Sequence, residues 1–77
     1  MITLNQFLVL FIEELEDTKP EEVNINSDFK NLEEWDSLVA LSIISMIDEE
    51  FEVLLTGNDM MNASTITDLY ERVKELV

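Results

Sequence analysis

Apolar positions recur at helical spacing along most of the chain, and the places where the pattern lapses mark the connectors. Leu4, Leu8, Phe11 and Leu15 fall three or four residues apart, on one face of a helix. Phe7 and Ile12 widen that face. Thr3 and Gln6 have the spacing of a capping box, in which each side chain satisfies a free backbone N–H at the helix start. The pattern is expected to run towards Pro20, whose ring cannot continue a helix and which pushes Lys19 towards extended geometry. A second stripe, Ala40, Ile43, Ile44, Ile47 and Phe51, has Leu38, Leu41 and Met46 beside it. Asp36 is its expected N-cap, and the helix is expected to run from Ser37 to about Glu52. Gly57 and Asn58 read as a break, followed by a short turn over 59–62 presenting Met60 and Met61. The last helix is expected to start at Ser64 or Thr65, with Ile66, Leu69, Val73 and Leu76 on one face. Asp68 and Arg72 in it have the spacing of an (i, i+4) ion pair.

Residues 18–35 show no period. Val23, Ile25, Phe29 and Leu32 punctuate polar positions such as Asn24, Asn26, Ser27 and Asp28. Structureless loops this long are uncommon in compact domains, so the four apolar residues read as anchors, with a helical turn at Lys30 to Glu34. One Gly and one Pro in the whole chain speak against strands joined by tight turns. The expectation is an all-α chain with three main helices, a long first connector and a short helix in the second.

Length and composition narrow the chemistry. Seventy-seven residues make one small domain, 1–77, with little room for an elaborate pocket. An apolar content of 47% supports a core and excludes a disordered tail. Eighteen acidic residues against four basic ones give a formal net charge of −14. That excludes nucleic acid and anionic lipid as direct partners and favours partners with basic patches. With neither Cys nor His, the chain lacks a disulfide, a thiolate, the usual general base and the commonest metal ligand. No catalysis of its own is expected. The longest apolar stretches, Phe7 to Ile12 and Leu38 to Ile47, fall short of the ~18 residues of a membrane span. No basic signal-peptide region is visible, so the cytoplasm is the expected compartment. No metal site is expected either: an EF-hand register from Asn24 would put Phe29 at the Gly position and Trp35 at the bidentate Glu position.

The stretch Glu34-Trp35-Asp36-Ser37-Leu38 carries the candidate chemistry. It sets a Ser on the first turn of the central helix, and the residues leave two readings open. Asp36 and Ser37 could be a doubled N-cap. Alternatively, the free N–H groups and positive dipole end of the helix favour an anion, so a phosphodiester on Ser37 would be stabilised there. Asp36 would then serve the enzyme that installs the phosphodiester, or that enzyme's Mg²⁺. A serine hydrolase is excluded, because no His is present to act as base.

Over nearly its whole length the chain resembles the acyl carrier proteins, also called phosphopantetheine-binding or thiolation domains. The resemblance rests on Phe29 and Leu32, on Trp35-Asp36-Ser37-Leu38, on Ile43, Ile47, Glu49-Glu50-Phe51 and Leu55, and on Thr65-Ile66-Thr67-Asp68-Leu69. It implies an acyl-carrier-like four-helix bundle with three main helices and one short one. It implies that Ser37, flanked by Asp36 and Leu38, takes 4′-phosphopantetheine from coenzyme A through a phosphopantetheinyl transferase. The thiol of that arm would hold an acyl or aminoacyl cargo as a thioester and present it to loading and accepting enzymes with basic or mixed docking patches. A monomer is expected. Ala40, Ile43, Met46, Ile47, Leu55, Met60, Ala63 and Ile66 are placed to line a cleft for the cargo, and are equally suited to ordinary core packing. Met46 and Met60 would form its most adaptable wall.

The chain departs from the fatty-acid-synthase carriers around the resembling serine. Trp35 stands where those carriers usually have a small residue. Val39 and Ser42 stand two and five positions after Ser37, where they commonly have acids. That favours a specialised carrier over the main fatty-acid one. The acids cluster elsewhere: Glu13, Glu14, Glu16 and Asp17 near one predicted helix end, and Asp48, Glu49, Glu50 and Glu52 near another. They add solubility, and are also suited to docking basic partners or to loose divalent-cation binding. The competing function is an unmodified acidic helical adaptor that docks basic proteins.

Overall fold

The first helix begins where Thr3 can cap it. In the computed structural model, which describes residues 1–77, Gln6 N–H donates to Thr3 Oγ1 at 3.1 Å and Thr3 N–H to Gln6 Oε1 at 2.9 Å. The helix, α1, spans Leu4–Glu13 and buries Phe7 and Phe11, with Leu15 just beyond its end. Leu4 and Leu8 are only half-buried, so the core-facing stripe is centred on Phe7 and Phe11. The helix stops well short of Pro20, contrary to the expectation from sequence. Glu14 and Leu15 tighten the last turn by donating to carbonyls three residues back. The N–H groups of Glu16, Asp17 and Thr18 are then taken by a carboxylate from elsewhere in the chain. Pro20 instead opens a 3₁₀ turn, Pro20–Glu22, at a position where its missing N–H costs nothing.

The connector is pinned as its apolar residues suggest. Val23 and Phe29 are buried, and Ile25 and Leu32 half-buried. A second 3₁₀ turn covers Phe29–Asn31, one residue ahead of the expected helical turn. The Ile25 carbonyl accepts from the N–H and the hydroxyl of Thr67, and Lys30 Nζ donates to the Met61 carbonyl at 2.8 Å.

The central helix, α2, spans Ser37–Phe51, with Asp36 Oδ1 accepting from Val39 N–H at 2.9 Å. Ile43, Met46 and Ile47 are buried, while Leu38 and Leu41 face solvent. It ends at Glu52, which takes the left-handed conformation (φ 56°) that glycine usually supplies at a helix stop. The expected break at Gly57 and Asn58 is not there. Gly57 is the first residue of α3, Gly57–Asn62, because Thr56 and Asp59 form a capping box ahead of it. Within α3 Met60 turns into the core and Met61 out of it.

The last helix, α4, spans Ile66–Leu76 and buries Ile66, Leu69, Tyr70 and Val73. Thr65 caps it, accepting from Asp68 N–H at 3.1 Å, and the Asp68 carboxylate completes the capping box by accepting from Ser64 and Thr65 N–H, so the expected Asp68–Arg72 pair does not form. Arg72 instead reaches Asp59 across to α3, at 2.8 Å, and Glu75 on its own helix. The four helices enclose one core of sixteen buried residues, all apolar or aromatic. The bundle is the acyl-carrier-like architecture that the sequence resemblance implies. No helix is long and apolar enough to cross a membrane.

Candidate functional site

Ser37 is the first residue of α2 and is exposed. Its hydroxyl makes no hydrogen bond within the chain, so the cap is Asp36 alone and not the Asp36–Ser37 pair. Val39 N–H is the donor that Asp36 satisfies, and Ala40 N–H bonds to the Asp36 carbonyl. The N–H groups of Ser37 and Leu38 keep no internal acceptor. A free hydroxyl, two free donors and the positive end of a 15-residue helix therefore meet at one exposed point. A phosphodiester on that hydroxyl would gain donors and the dipole without displacing any bond the fold uses. The residues present fit such a group.

Each of the three residues before Ser37 is held. Asp36 is the cap. Trp35 is half-buried and lies parallel to Phe11, with centroids 6.3 Å apart and planes at 3°. Phe29 meets it edge-on at 5.1 Å. Glu34 turns back towards the end of α1, where its two carboxylate oxygens accept from Glu16 N–H at 3.0 Å, Asp17 N–H at 3.1 Å and Thr18 N–H at 3.0 Å. The Thr18 side chain first, and then these N–H groups, hold the Glu34 carboxyl below its ordinary pKa, while partial burial acts in the opposite direction.

Leu38, the other neighbour of Ser37, is 74% exposed, and Leu41, one turn on, is 58% exposed. Val39 and Ser42 are half-buried and uncharged. The acids of α2 lie at its far end, where Asp48, Glu49 and Glu50 are all exposed. From Ser37 to Asp48 is eleven residues, or about 16 Å along the axis.

The eight residues expected around a cargo cleft come together. Ile43, Met46, Ile47, Leu55, Met60, Ala63 and Ile66 are buried and belong to one cluster, with Ala40 half-buried. They are packed on one another, and only Met46 and Ala63 reach a surface depression. Glu34 stands in the stretch singled out from the sequence, but its role in holding the end of α1 is not visible there. Its partners lie 16–18 residues away in the chain, and no spacing rule links a carboxylate to main-chain donors at that range.

No curated protein and no solved structure is a match to the chain. The family model described as "Phosphopantetheine attachment site" matches residues 6–73, which runs from the first turn of α1 into the last turns of α4 and takes in the whole approach to α2. Domains of this family work with partner enzymes and are not themselves catalytic. The chain belongs to the phosphopantetheine attachment-site family, whose members carry 4′-phosphopantetheine through a covalent bond.

Proposed function

We propose that Ser37 is the attachment point and that residues 1–77 act as one carrier domain for an acyl or aminoacyl cargo, without catalysis of their own. The single observation that carries this reading is the exposed, unbonded Ser37 hydroxyl at the start of α2, inside a chain of the phosphopantetheine family. In the loading step the Ser37 oxygen attacks the phosphorus of coenzyme A that bears the pantetheine. The bond to the departing adenosine bisphosphate breaks, and the hydroxyl proton passes to a base of the transferase. Asp36, whose second carboxylate oxygen makes no bond within the chain, is available to the transferase or its Mg²⁺. The arm supplies the thiol that this cysteine-free chain lacks. Coenzyme A as donor supports a cytoplasmic setting for this step, and a net charge of −14, which opposes self-association, supports a monomer.

A specialised carrier fits better than the main fatty-acid one. Leu38, Val39, Leu41 and Ser42 make the first turns of α2 apolar or neutral, so an enzyme that seeks acid there finds none. If the cargo is sequestered, it enters among Ala40, Ile43, Met46, Ile47, Leu55, Met60, Ala63 and Ile66. Met46 and Met60 then repack to admit it.

Incubation with coenzyme A, Mg²⁺ and a broad-specificity transferase should add one phosphopantetheine, read by intact mass. Ser37→Ala should stay unmodified while keeping its melting temperature, since the hydroxyl makes no bond in the fold. Modification of that variant at another serine would sink the assignment. For partner choice, the modified protein should be a poor substrate for fatty-acid elongation enzymes, and Val39→Asp with Ser42→Glu should improve it. Wild-type rates equal to those of an ordinary fatty-acid carrier would remove the specialised role and leave the carrier function standing.

A further inference from the structure

The first two turns of α2 have little packing of their own to orient Ser37. No residue from Ser37 to Ser42 is buried, and Ile43 is the first of the helix that is. Ser37 therefore stands six residues, or about 9 Å, beyond the point where α2 is fixed in the core. The tip of such a helix takes its orientation from whatever holds the chain just before it. Asp36 bonds only within α2, to Val39 N–H. Trp35 and Glu34 are the two residues of the approach that reach α1: the Trp35 ring lies on Phe11, and the Glu34 carboxylate lies over the main chain just past the helix end.

Successive N–H groups turned towards one point form a concave anion-binding nest. Residues 16–18 make such a nest, and its anion comes from within the chain. Oε2 of Glu34 accepts from Glu16 and Asp17 N–H, and Oε1 from Thr18 N–H, with a longer contact to Asp17 at 3.3 Å. The surrounding charge works against this arrangement. The depressions on either side of Glu34 are lined by Glu14, Glu16, Asp17, Glu22, Glu33 and Asp36, and by no basic side chain. These acids repel another carboxylate, so the N–H groups, through charge-assisted hydrogen bonds, are what keep Glu34 in place. Its backbone is set by a turn that Trp35 N–H closes onto the Leu32 carbonyl at 3.0 Å. Glu34 lies outside the sixteen-residue core, so loss of its carboxylate acts on the approach and leaves the core packing as it is.

We propose that Glu34 is a positioning residue for the transfer of phosphopantetheine to Ser37: by filling the nest at residues 16–18 it ties the start of α2 to the end of α1 and fixes the direction in which Asp36 and Ser37 are presented. The transfer needs the Ser37 oxygen in line with the phosphorus of coenzyme A while Asp36 meets the transferase or its Mg²⁺. A helix tip free to wander spends less time in that arrangement, and small misplacements of reacting groups are costly. Glu34 touches neither the phosphorus nor the metal, since both of its oxygens are turned inward, so it acts through Trp35 and Asp36. The inference rests on the carrier reading and adds to it the device that orients the attachment point.

The test uses the full chain, coenzyme A, Mg²⁺ and a broad-specificity transferase, with kcat and KM for the carrier measured at a temperature where every variant is folded. Amide hydrogen exchange by NMR is read on the same samples. Glu34→Gln should lower kcat about tenfold, the size expected for losing one charge-assisted hydrogen bond. It should leave KM within about twofold, because the carboxylate is not offered to the transferase. It should also speed exchange of the Glu16, Asp17 and Thr18 amides. Glu34→Asp shortens the reach and Glu34→Ala removes the group. Across the three variants kcat should fall in the order in which exchange at 16–18 accelerates, so the milder Asp variant keeps the test informative if the others are poorly folded. Glu33→Gln removes a neighbouring charge that makes no bond within the chain, and Asp59→Asn removes an ion pair on the α3 side. Both should be modified at the wild-type rate. Wild-type kcat in Glu34→Gln despite faster exchange, or unchanged exchange at 16–18, would overturn the proposal. So would an equal loss in Glu33→Gln, which would mean that charge is what the transferase reads, or in Asp59→Asn, which would mean that stability is. In each of those cases the wild-type chain is still modified and the carrier reading stands. A wild-type chain that is not modified at Ser37 removes the carrier reading, and this role of Glu34 with it.

Discussion

The chain approaches α2 and leaves it in different ways. On the approach, Glu34, Trp35 and Asp36 are fixed in succession by three main-chain donors, two aromatic rings and one cap. The departure begins with a left-handed Glu52 and continues through Val53 and Leu55, which are buried on either side of a 74% exposed Leu54. It closes on α3, a helix of six residues tied to α4 by Arg72–Asp59 and to the connector by Lys30. Ser37 is therefore positioned from its N-terminal side by packing and neutral donors. The α3 side is held by an ion pair, the Lys30 bond and the buried Val53, Leu55 and Met60, and it carries the one strained residue of the chain, Glu52.

Removing the ring that anchors the approach should have the largest effect. Phe29 is fully buried and meets both Phe11, at 5.5 Å, and Trp35, at 5.1 Å. Phe29→Ala should cost about 3–5 kcal/mol, enough to threaten a domain of this size. Chemical denaturation followed by Trp35 fluorescence would measure it. A loss below about 1 kcal/mol would mean that the triad is not what holds the approach.

The two lowered carboxylates test the comparison next. Thr56 N–H first, and then Arg72, hold Asp59 below its ordinary range, while Asp59 and Glu75 raise Arg72. For both Glu34 and Asp59 the folded pKa lies below the unfolded one. Each therefore contributes stability that is complete above the unfolded carboxylate range and is lost as pH falls through the folded value. Glu34→Gln and Asp59→Asn should each flatten the acid side of the stability–pH curve. They should differ in what else moves. Glu34→Gln turns an amide N–H towards backbone donors, so it should shift Trp35 emission and slow modification of Ser37. Asp59→Asn should leave Trp35 emission unchanged, and its cost should shrink in high salt because an ion pair is what it removes. Equal effects of both variants on Trp35 would erase the distinction between the two sides.

Relieving the strained turn should sharpen the contrast from the other side. Glu52→Gly places the residue without a Cβ where φ is positive and takes a carboxylate off a helix C-terminus. The gain, net of the larger backbone entropy of glycine, should be about 0.5–1 kcal/mol, or roughly 3–6 °C in melting temperature. A lower melting temperature would place the strain elsewhere.

The sequence made these two sides legible to different degrees, for physical reasons. Local rules worked at three helix starts. Thr3 with Gln6 and Asp36 at the head of α2 cap as expected, and Thr65 heads α4, at the second of the two starts that the sequence left open. They failed where a distant group competes for the same atoms. Helix α1 was read too long because the acceptor for Glu16 to Thr18 is Glu34. The Asp68–Arg72 pair was read from spacing, but Asp68 is occupied in the capping box and Asp59 lies closer to Arg72 across the α3–α4 contact. Gly57 was read as a break because glycine so often is one, while the chain turns at Glu52 instead. At the site, Ser37 and Asp36 were visible as a local motif. The outward turn of Leu38 and Leu41 was not, since a periodic stripe gives the width of an apolar face and not how much of it the bundle covers.

The smallest effect expected is electrostatic, and it separates the far end of α2 from the approach to Ser37. Asp48, Glu49 and Glu50 are exposed in the last turn, where carboxylates oppose the helix dipole, and the whole chain carries −14. Added salt should therefore raise the melting temperature by screening self-repulsion. Millimolar Ca²⁺ or Mg²⁺ should raise it further, because a divalent ion concentrates more strongly than a monovalent one around such a surface. No three carboxylates converge on a metal geometry, so this binding is diffuse and should show no sharp saturation. Asp48→Asn, Glu49→Gln and Glu50→Gln together should remove most of the divalent gain. Trp35 emission should not follow the titration, because the Glu34 carboxylate is held by main-chain N–H groups rather than by a cation. A melting temperature indifferent to both salts would mean that the acids are too dispersed to strain α2. A Trp35 signal that tracked the divalent ion would instead place the cation at the approach.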